Sequence, residues 1–132
     1  MNNTRKKIFW IASYPKSGNT WVRAIISSLF FSQYGIFYFD LLKYILDFDI
    51  RERYEFVKSI DVNDFKNLSN LNIISKYRIQ AQDLANVGGD FAFYKTHSSN
   101  ISFNGHDFTN KTNTMGLIYL VRDPRDIAIS YS

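Results

Sequence analysis

Lys16, Ser17, Gly18, Asn19, Thr20 and Trp21 sit inside the stretch SYPKSGNTW, Ser13 to Trp21. A lysine, a glycine and small hydroxyl side chains in a row are the parts of an anion cradle. Backbone N–H groups near Gly18, Asn19, Thr20 and Trp21, at the start of a helix, attract negative charge. Gly18 lets the main chain approach a ligand, the hydroxyls of Ser17 and Thr20 add donors, and Lys16 brings a mobile cation. The lysine precedes the glycine, so neither the Walker pattern nor the dinucleotide fingerprint is met. Taken alone, the segment also reads as an ordinary strand–turn–helix with Lys16 in solvent.

Two further clusters follow. KTH, Lys95 to His97, lies at the end of an apolar run. A neutral imidazole there is a candidate general base near neutral pH. Lys95 and His97 are two apart and share a side of an extended strand. A surface histidine at a strand end is the competing account, and His106, in a polar stretch, fits that account. The third cluster is RDPRDIAIS. Arg122 follows a buried run directly, and Ser130 comes back into line after roughly two helical turns. A guanidinium fork with a hydroxyl makes a phosphate clamp. Asp123 and Asp126 cap and balance a helix start, and Arg125 reads as a solvated charge.

These residues need elements to hold them. KIFWIAS, Lys7 to Ser13, is short and continuously apolar, as in a strand covered on both faces. Trp21, Ala24, Ile25, Ser28 and Leu29 then recur at helical spacing, so a helix is expected to about Ser32, with Gly35 near its end. LLKYILDF and RYEFVKSI carry apolar residues three and four apart and predict two amphipathic helices. SNLN is a turn-like break, and ISKYRIQAQDLAN predicts another helix ending near Gly88 and Gly89. FAFYKTH, Phe91 to His97, and GLIYLV, Gly116 to Val121, are the second and third strands. SSNISFNGHDFTNKTNT reads as a loop. Asp123 is placed as an N-cap, with Pro124 at the first helical position.

Strands alternating with helices imply an α/β domain: a parallel sheet with a P-loop-like strand–loop–helix, in a three-layer α/β/α arrangement. In such sheets ligands lie beyond the carboxyl ends of the strands. Lys16, Lys95, His97 and Arg122 all fall at such ends, so they are expected to converge on one rim. The helix-like DIAISYS breaks off at Ser132, which suggests an element cut part-way.

With 132 residues, 45% hydrophobic and 21% charged, the chain is expected to be globular and to form one core. The 17% aromatic content reads first as core and rim. The aromatic segment Tyr34 to Phe48 reads as core packing or as the wall of an apolar pocket. A net charge of +4 without a dense basic run suits a small anionic ligand better than nucleic acid. The absence of cysteine excludes disulfides, thiolate metal sites and cysteine nucleophiles. The basic start is followed too soon by Pro15 and Lys16 to make a secretory signal, and no run reaches the length of a membrane span. A cytoplasmic protein is expected.

YPKSGNTW, KTH and LIYLVRDPRDIAISY together resemble the signature stretches of the sulfotransferase family that uses 3′-phosphoadenosine 5′-phosphosulfate (PAPS), in the family's order. The resemblance implies sulfuryl transfer from PAPS to a hydroxyl or amine, without a metal. Lys16, Ser17, Gly18, Asn19, Thr20 and Trp21 would hold the 5′-phosphosulfate end, with the Trp21 indole near the adenine. Arg122 and Ser130 would clamp the 3′-phosphate. His97 would be the base, and Lys16 and Lys95 would steady charge on the sulfonate and the departing oxygen. Asn19 stands where many members have threonine. Family members continue past the third motif, so residues 1–132 are expected to be the N-terminal part of one sulfotransferase domain. The acceptor, whether small molecule, glycan or lipid, and the oligomeric state stay open. A P-loop-type kinase and a non-catalytic truncated nucleotide-binding protein are the rival accounts.

Overall fold

The computed structural model describes residues 7–85 and 90–131. The chain divides into two compact units, one built from Phe9–Phe48, Phe93–His97 and the residues from Gly116 onward, the other taking in Asp49–Ala92 and Ser98–Met115.

The first unit carries the sheet. The strands, most of whose residues belong to that unit, are β1 (Lys7–Ser13), β2 (Leu46–Asp47), β3 (Phe91–Thr96) and β6 (Thr114–Leu120), in the order β2-β3-β1-β6. β2 runs parallel to β3, with Leu46 opposite Tyr94 and Asp47 opposite Lys95. The sheet is of the parallel α/β kind, and the expected strand–loop–helix is present. β1 feeds through Tyr14–Gly18 into α1 (Asn19–Phe31). Its continuous apolar run is explained by burial, since Trp10 is 2% exposed and Ile11 fully covered. Trp10, Phe48 and Tyr94 form an aromatic cluster across the strands, with ring centres 5.2 Å apart for Trp10–Phe48 and 5.6 Å for Phe48–Tyr94. Phe30 packs edge-on to Phe93 at 5.1 Å and anchors the end of α1 on β3. α1 ends at Ser32 in extended backbone, three residues before the left-handed Gly35.

The helix expected over LLKYILDF is not formed. Its place is taken by a short 3-10 turn, Phe39–Tyr44, followed by β2. The physical reason is on α1. The Arg23 guanidinium donates from Nε to Ile45 O at 2.9 Å and from Nη2 to Leu42 O at 3.2 Å, and Leu42 O also accepts from Ile45 N at 3.2 Å in the i to i+3 bond of the tighter turn, so Arg23 clamps the chain in that form. Phe48 N then donates to Lys95 O at 2.8 Å, which draws the chain out alongside β3. The spacing did identify the buried residues: Leu41, Ile45 and Phe48 are fully covered.

The second unit holds a 3-10 turn (Arg51–Tyr54), α2 (Val62–Lys66), α3 (Leu71–Ala85) and a hairpin of β4 (Ser102–Phe103) and β5 (His106–Asp107). The second expected amphipathic helix, RYEFVKSI, also resolves into tight turns, with Val57 N bonded to Tyr54 O and Ile60 N to Val57 O. The third expected helix is α3, whose Asn72 N–H is taken by Asn70 Oδ1 at 2.9 Å; the expected end near Gly88 and Gly89 lies outside the described residues. The polar stretch read as loop contains the hairpin. Asn104 and Gly105 both have positive φ, 50° and 78°, the geometry that an Asn-Gly pair adopts in a two-residue hairpin turn. Gln82, fully buried on α3, donates to Phe108 O at 2.6 Å and accepts from Thr109 Oγ1 at 2.6 Å, which fastens the segment after the hairpin to the helix.

Candidate functional site

The loop after β1 is built on two left-handed residues. Lys16 has φ 63° and Gly18 has φ 93°, and Gly18 starts α1 without a side-chain cap. A left-handed glycine is inexpensive, whereas a left-handed lysine carries about 1–2 kcal/mol of steric strain. Intrahelical bonding begins with Val22 N to Gly18 O at 3.2 Å, so the N–H groups of Asn19, Thr20 and Trp21 belong to the unpaired first turn. No acidic side chain lies in that turn to compete for them. Ser17 Oγ is buried and has no hydrogen-bond partner among the described residues. A buried hydroxyl beside a helix N-terminus, with a lysine one residue earlier, suits an anion.

Two of the other clusters close on this loop. His97 lies just past the end of β3. Its Nδ1 is 2.7 Å from Ser13 O and 3.4 Å from Ser13 Oγ. A carbonyl only accepts, so Nδ1 carries the hydrogen, and in the neutral ring the lone pair is on Nε2. Arg122 lies just past the end of β6, and its Nη1 donates to Lys16 O at 3.0 Å. The carbonyl of the strained residue is therefore held from the side by the guanidinium. Lys16 Nζ lies 5.8 Å from the ring centre of Tyr131, on the last turn of α4 (Pro124–Tyr131). Ser17, Tyr14, Arg122 and Tyr131 help to line one cavity of about 430 Å³. Lys16, Ser17, His97 and Arg122 thus gather around Ser13–Gly18.

The remaining site residues are placed differently. Lys95 does not present an uncommitted cation: its Nζ pairs with Asp47 Oδ2 at 2.5 Å, across the register that puts those residues opposite one another. Asp47 also acts on Arg23, whose pKa burial lowers and whose charge the carboxylate supports. Asn19 is buried, and its amide turns back toward β1. Trp21 is 78% exposed. With Thr20, Ile25, Leu29, Phe37 and Phe39 it borders an almost wholly apolar groove of about 440 Å³. The aromatic segment is therefore divided: Phe37 and Phe39 face the groove, whereas Leu41, Ile45 and Phe48 are core. Ser130 is exposed on the last turn of α4. Asp123 caps that helix as expected, accepting Arg125 N–H at 2.9 Å. Arg125 is not merely solvated, because its guanidinium grips the Asp123 carboxylate, at 2.6 Å for the shortest contact. That hydrogen bonding holds the Asp123 carboxyl below its usual range.

Ser13, Asp47 and Tyr131 were missed as partners of the site. A small hydroxyl residue closing a buried strand was the available signal for Ser13. For Asp47 there was none, because the pairing depends on a register set by a two-residue strand. Among the described residues no cluster of histidine, aspartate and glutamate is arranged to hold a metal ion, and no helix is long and apolar enough to cross a membrane.

Comparison with known families shows that the sequence model described as Sulfotransferase domain matches residues 6–132. The chain belongs to that family. No curated protein and no solved structure matches it.

Proposed function

From membership of the sulfotransferase domain family, we propose that this chain transfers a sulfuryl group from PAPS to the hydroxyl or amine of a small-molecule acceptor, with His97 as general base. One observation carries the proposal: backbone carbonyls at the end of β1 and in the loop that follows it hold both the proposed base and the second cation, Ser13 O binding His97 and Lys16 O binding Arg122.

The donor fits the residues present. Ser17 Oγ is a buried hydroxyl with a hydrogen-bonding capacity still to be met, and the N–H groups of Asn19, Thr20 and Trp21 are unpaired by helix geometry. Ser17, Gly18, Asn19, Thr20 and Lys16 would hold the 5′ end, Asn19 through its backbone N–H alone. The exposed Trp21 ring is available for stacking on a base. Arg122 and Ser130 would take the 3′-phosphate. When bound, the donor supplies an activated sulfuryl group. His97 would accept the acceptor proton at Nε2 while Ser13 O stabilises the positive charge that develops at Nδ1–H. Lys16 would offset charge on the departing oxygen. Lys95, committed to Asp47, is assigned to holding β2 on β3.

The test is titration calorimetry with adenosine 3′,5′-bisphosphate against ATP with Mg²⁺, followed by transfer of radiolabelled sulfate from PAPS to a panel of phenols, alcohols and amines. Preference for the bisphosphate without metal, with label transferred, is expected. Metal-dependent preference for ATP would overturn the proposal in favour of a kinase.

A further inference from the structure

Asn19 occupies the first position of α1 and is only 6% exposed. Its Nδ2 donates to Ile11 O and to Ser13 Oγ, each at 3.1 Å. The Ile11 carbonyl can only accept, which fixes the amide with its NH₂ facing the strand. Both amide hydrogens are thereby used to fasten the start of the helix to the last residues of β1. Ser13, 4% exposed, presents two atoms to His97: its carbonyl oxygen, and the Oγ that Asn19 holds. Asn19 Oδ1 is buried and has no partner among the described residues, so the holding seen there is done by the donors.

We infer that Asn19 is a positioning residue for His97, acting through Ser13 to keep the imidazole in its Nδ1–H form with the lone pair on Nε2. The significance of this inference rests on the proposed role of His97 as base. Without the amide donors, Ile11 O and Ser13 Oγ would be buried acceptors lacking those partners, and the end of β1 would be free to shift. The Ser13 carbonyl would then move relative to the ring. The same residue contributes its backbone N–H to the helix N-terminus, so the anion cradle and the base share one anchor.

The test reads the imidazole itself, in the ¹⁵N-labelled full chain with no nucleotide present. Long-range ¹H–¹⁵N spectra distinguish the two tautomers, and the chain has two histidines. His106, exposed on the hairpin, serves as the internal reference. Wild-type His97 is expected mainly as Nδ1–H. Asn19→Leu, close in shape but without donors, is expected to shift the tautomer ratio by about 2- to 10-fold toward Nε2–H, the effect of one hydrogen bond. Asn19→Thr, which keeps one donor, should recover part of the shift. Ser13→Ala removes only the hydroxyl and should move the ratio the same way, so it decides the matter if Asn19→Leu fails to fold. A wild-type ring mainly in the Nε2–H form would overturn the inference, as would a ratio unmoved by Ser13→Ala and by any folded Asn19→Leu. Because the spectra need neither donor nor turnover, the outcomes separate. A shifted ratio in a chain that binds no bisphosphate removes the proposed function and leaves the positioning role. Sulfuryl transfer with an unmoved ratio removes the positioning role alone.

Discussion

Replacing Arg122 by alanine separates binding from stability more cleanly than any other change to this site. The side chain is exposed and, among the described residues, makes one bond, to Lys16 O at 3.0 Å. A bond of that kind contributes about 0.5–1.5 kcal/mol net, and exposure puts it at the lower end. Unfolding in urea should therefore move by less than about 1 kcal/mol. Binding is a different matter. A hydrogen bond to a phosphate is charge-assisted and contributes about 1.5–3 kcal/mol, so the Kd for adenosine 3′,5′-bisphosphate should rise by about 10- to 150-fold. The loss should shrink as salt is raised, because an exposed cation is screened. Arg122→Lys keeps the charge without the fork and should fall between the two. Calorimetry at two ionic strengths, with urea melts on the same preparations, gives all of these numbers. A Kd for Arg122→Ala within about threefold of wild type, under 0.7 kcal/mol, would refute the assignment of Arg122 to the 3′-phosphate.

His97→Ala should leave bisphosphate affinity near wild type while lowering turnover by about a hundred- to ten-thousand-fold, as measured by label transfer; equal turnover removes the base assignment. Lys16→Gly relieves a left-handed strain of about 1–2 kcal/mol and adds about 0.5–1 kcal/mol of chain entropy to be lost, so stability should hold or rise slightly in urea while bisphosphate binding weakens. A clear fall in stability would show that the Lys16 side chain, rather than its backbone, supports the loop. In the other unit, burial pushes the Tyr54 phenol up to about 12. The unfolded chain, ionising near 10, binds fewer protons than the folded one between those values. Tyr54 therefore contributes stability that is present below about pH 10 and is lost as pH rises toward 12, about 2–3 kcal/mol in all. Tyr54→Phe should flatten that decline in urea melts across the alkaline range, and an unchanged slope would contradict the burial argument.

Much of the frame was legible because β1, α1, β3, β6 and α4 announce themselves locally. Apolar runs stop at Pro15, at KTH and at RDP, and the Asp123–Pro124 pair sets the start of α4 at the expected residue. The middle of the chain was harder. The spacing of Leu41, Ile45 and Phe48 is that of a helix face, and all three are buried, yet the backbone between them is a turn and then a strand. Periodicity reports which side chains point inward. It does not report that Arg23, some twenty residues earlier, will clamp Leu42 O and Ile45 O in a tighter turn. The hairpin at Asn104–Gly105 was a different kind of miss, since its Asn-Gly signal was local and present in the polar stretch. Lys95 shows the limit on the site itself: its type and strand-end position suggested an available charge, and only the register with β2 reveals that Asp47 engages it.

The side chains of this site are fastened chiefly to main-chain oxygens. His97 bonds Ser13 O, Arg122 bonds Lys16 O, Asn19 bonds Ile11 O, and Arg23 bonds Leu42 O and Ile45 O. Each of those donors is a side chain that a substitution can delete. Each acceptor is backbone, present whatever residue stands there. It follows that the site should tolerate changes at accepting positions such as Ile11 and Leu42, provided the backbone path and packing survive, and should resist changes at the donors. Lys16 differs from the other accepting positions, since its carbonyl anchors Arg122 while its own φ of 63° strains the loop. A strained residue persists where its surroundings over-determine it, and here the guanidinium is one of the groups that do so. The cation assigned to the 3′-phosphate and the loop assigned to the 5′ end are consequently one mechanical unit: whatever draws Arg122 away also loosens the backbone at Lys16.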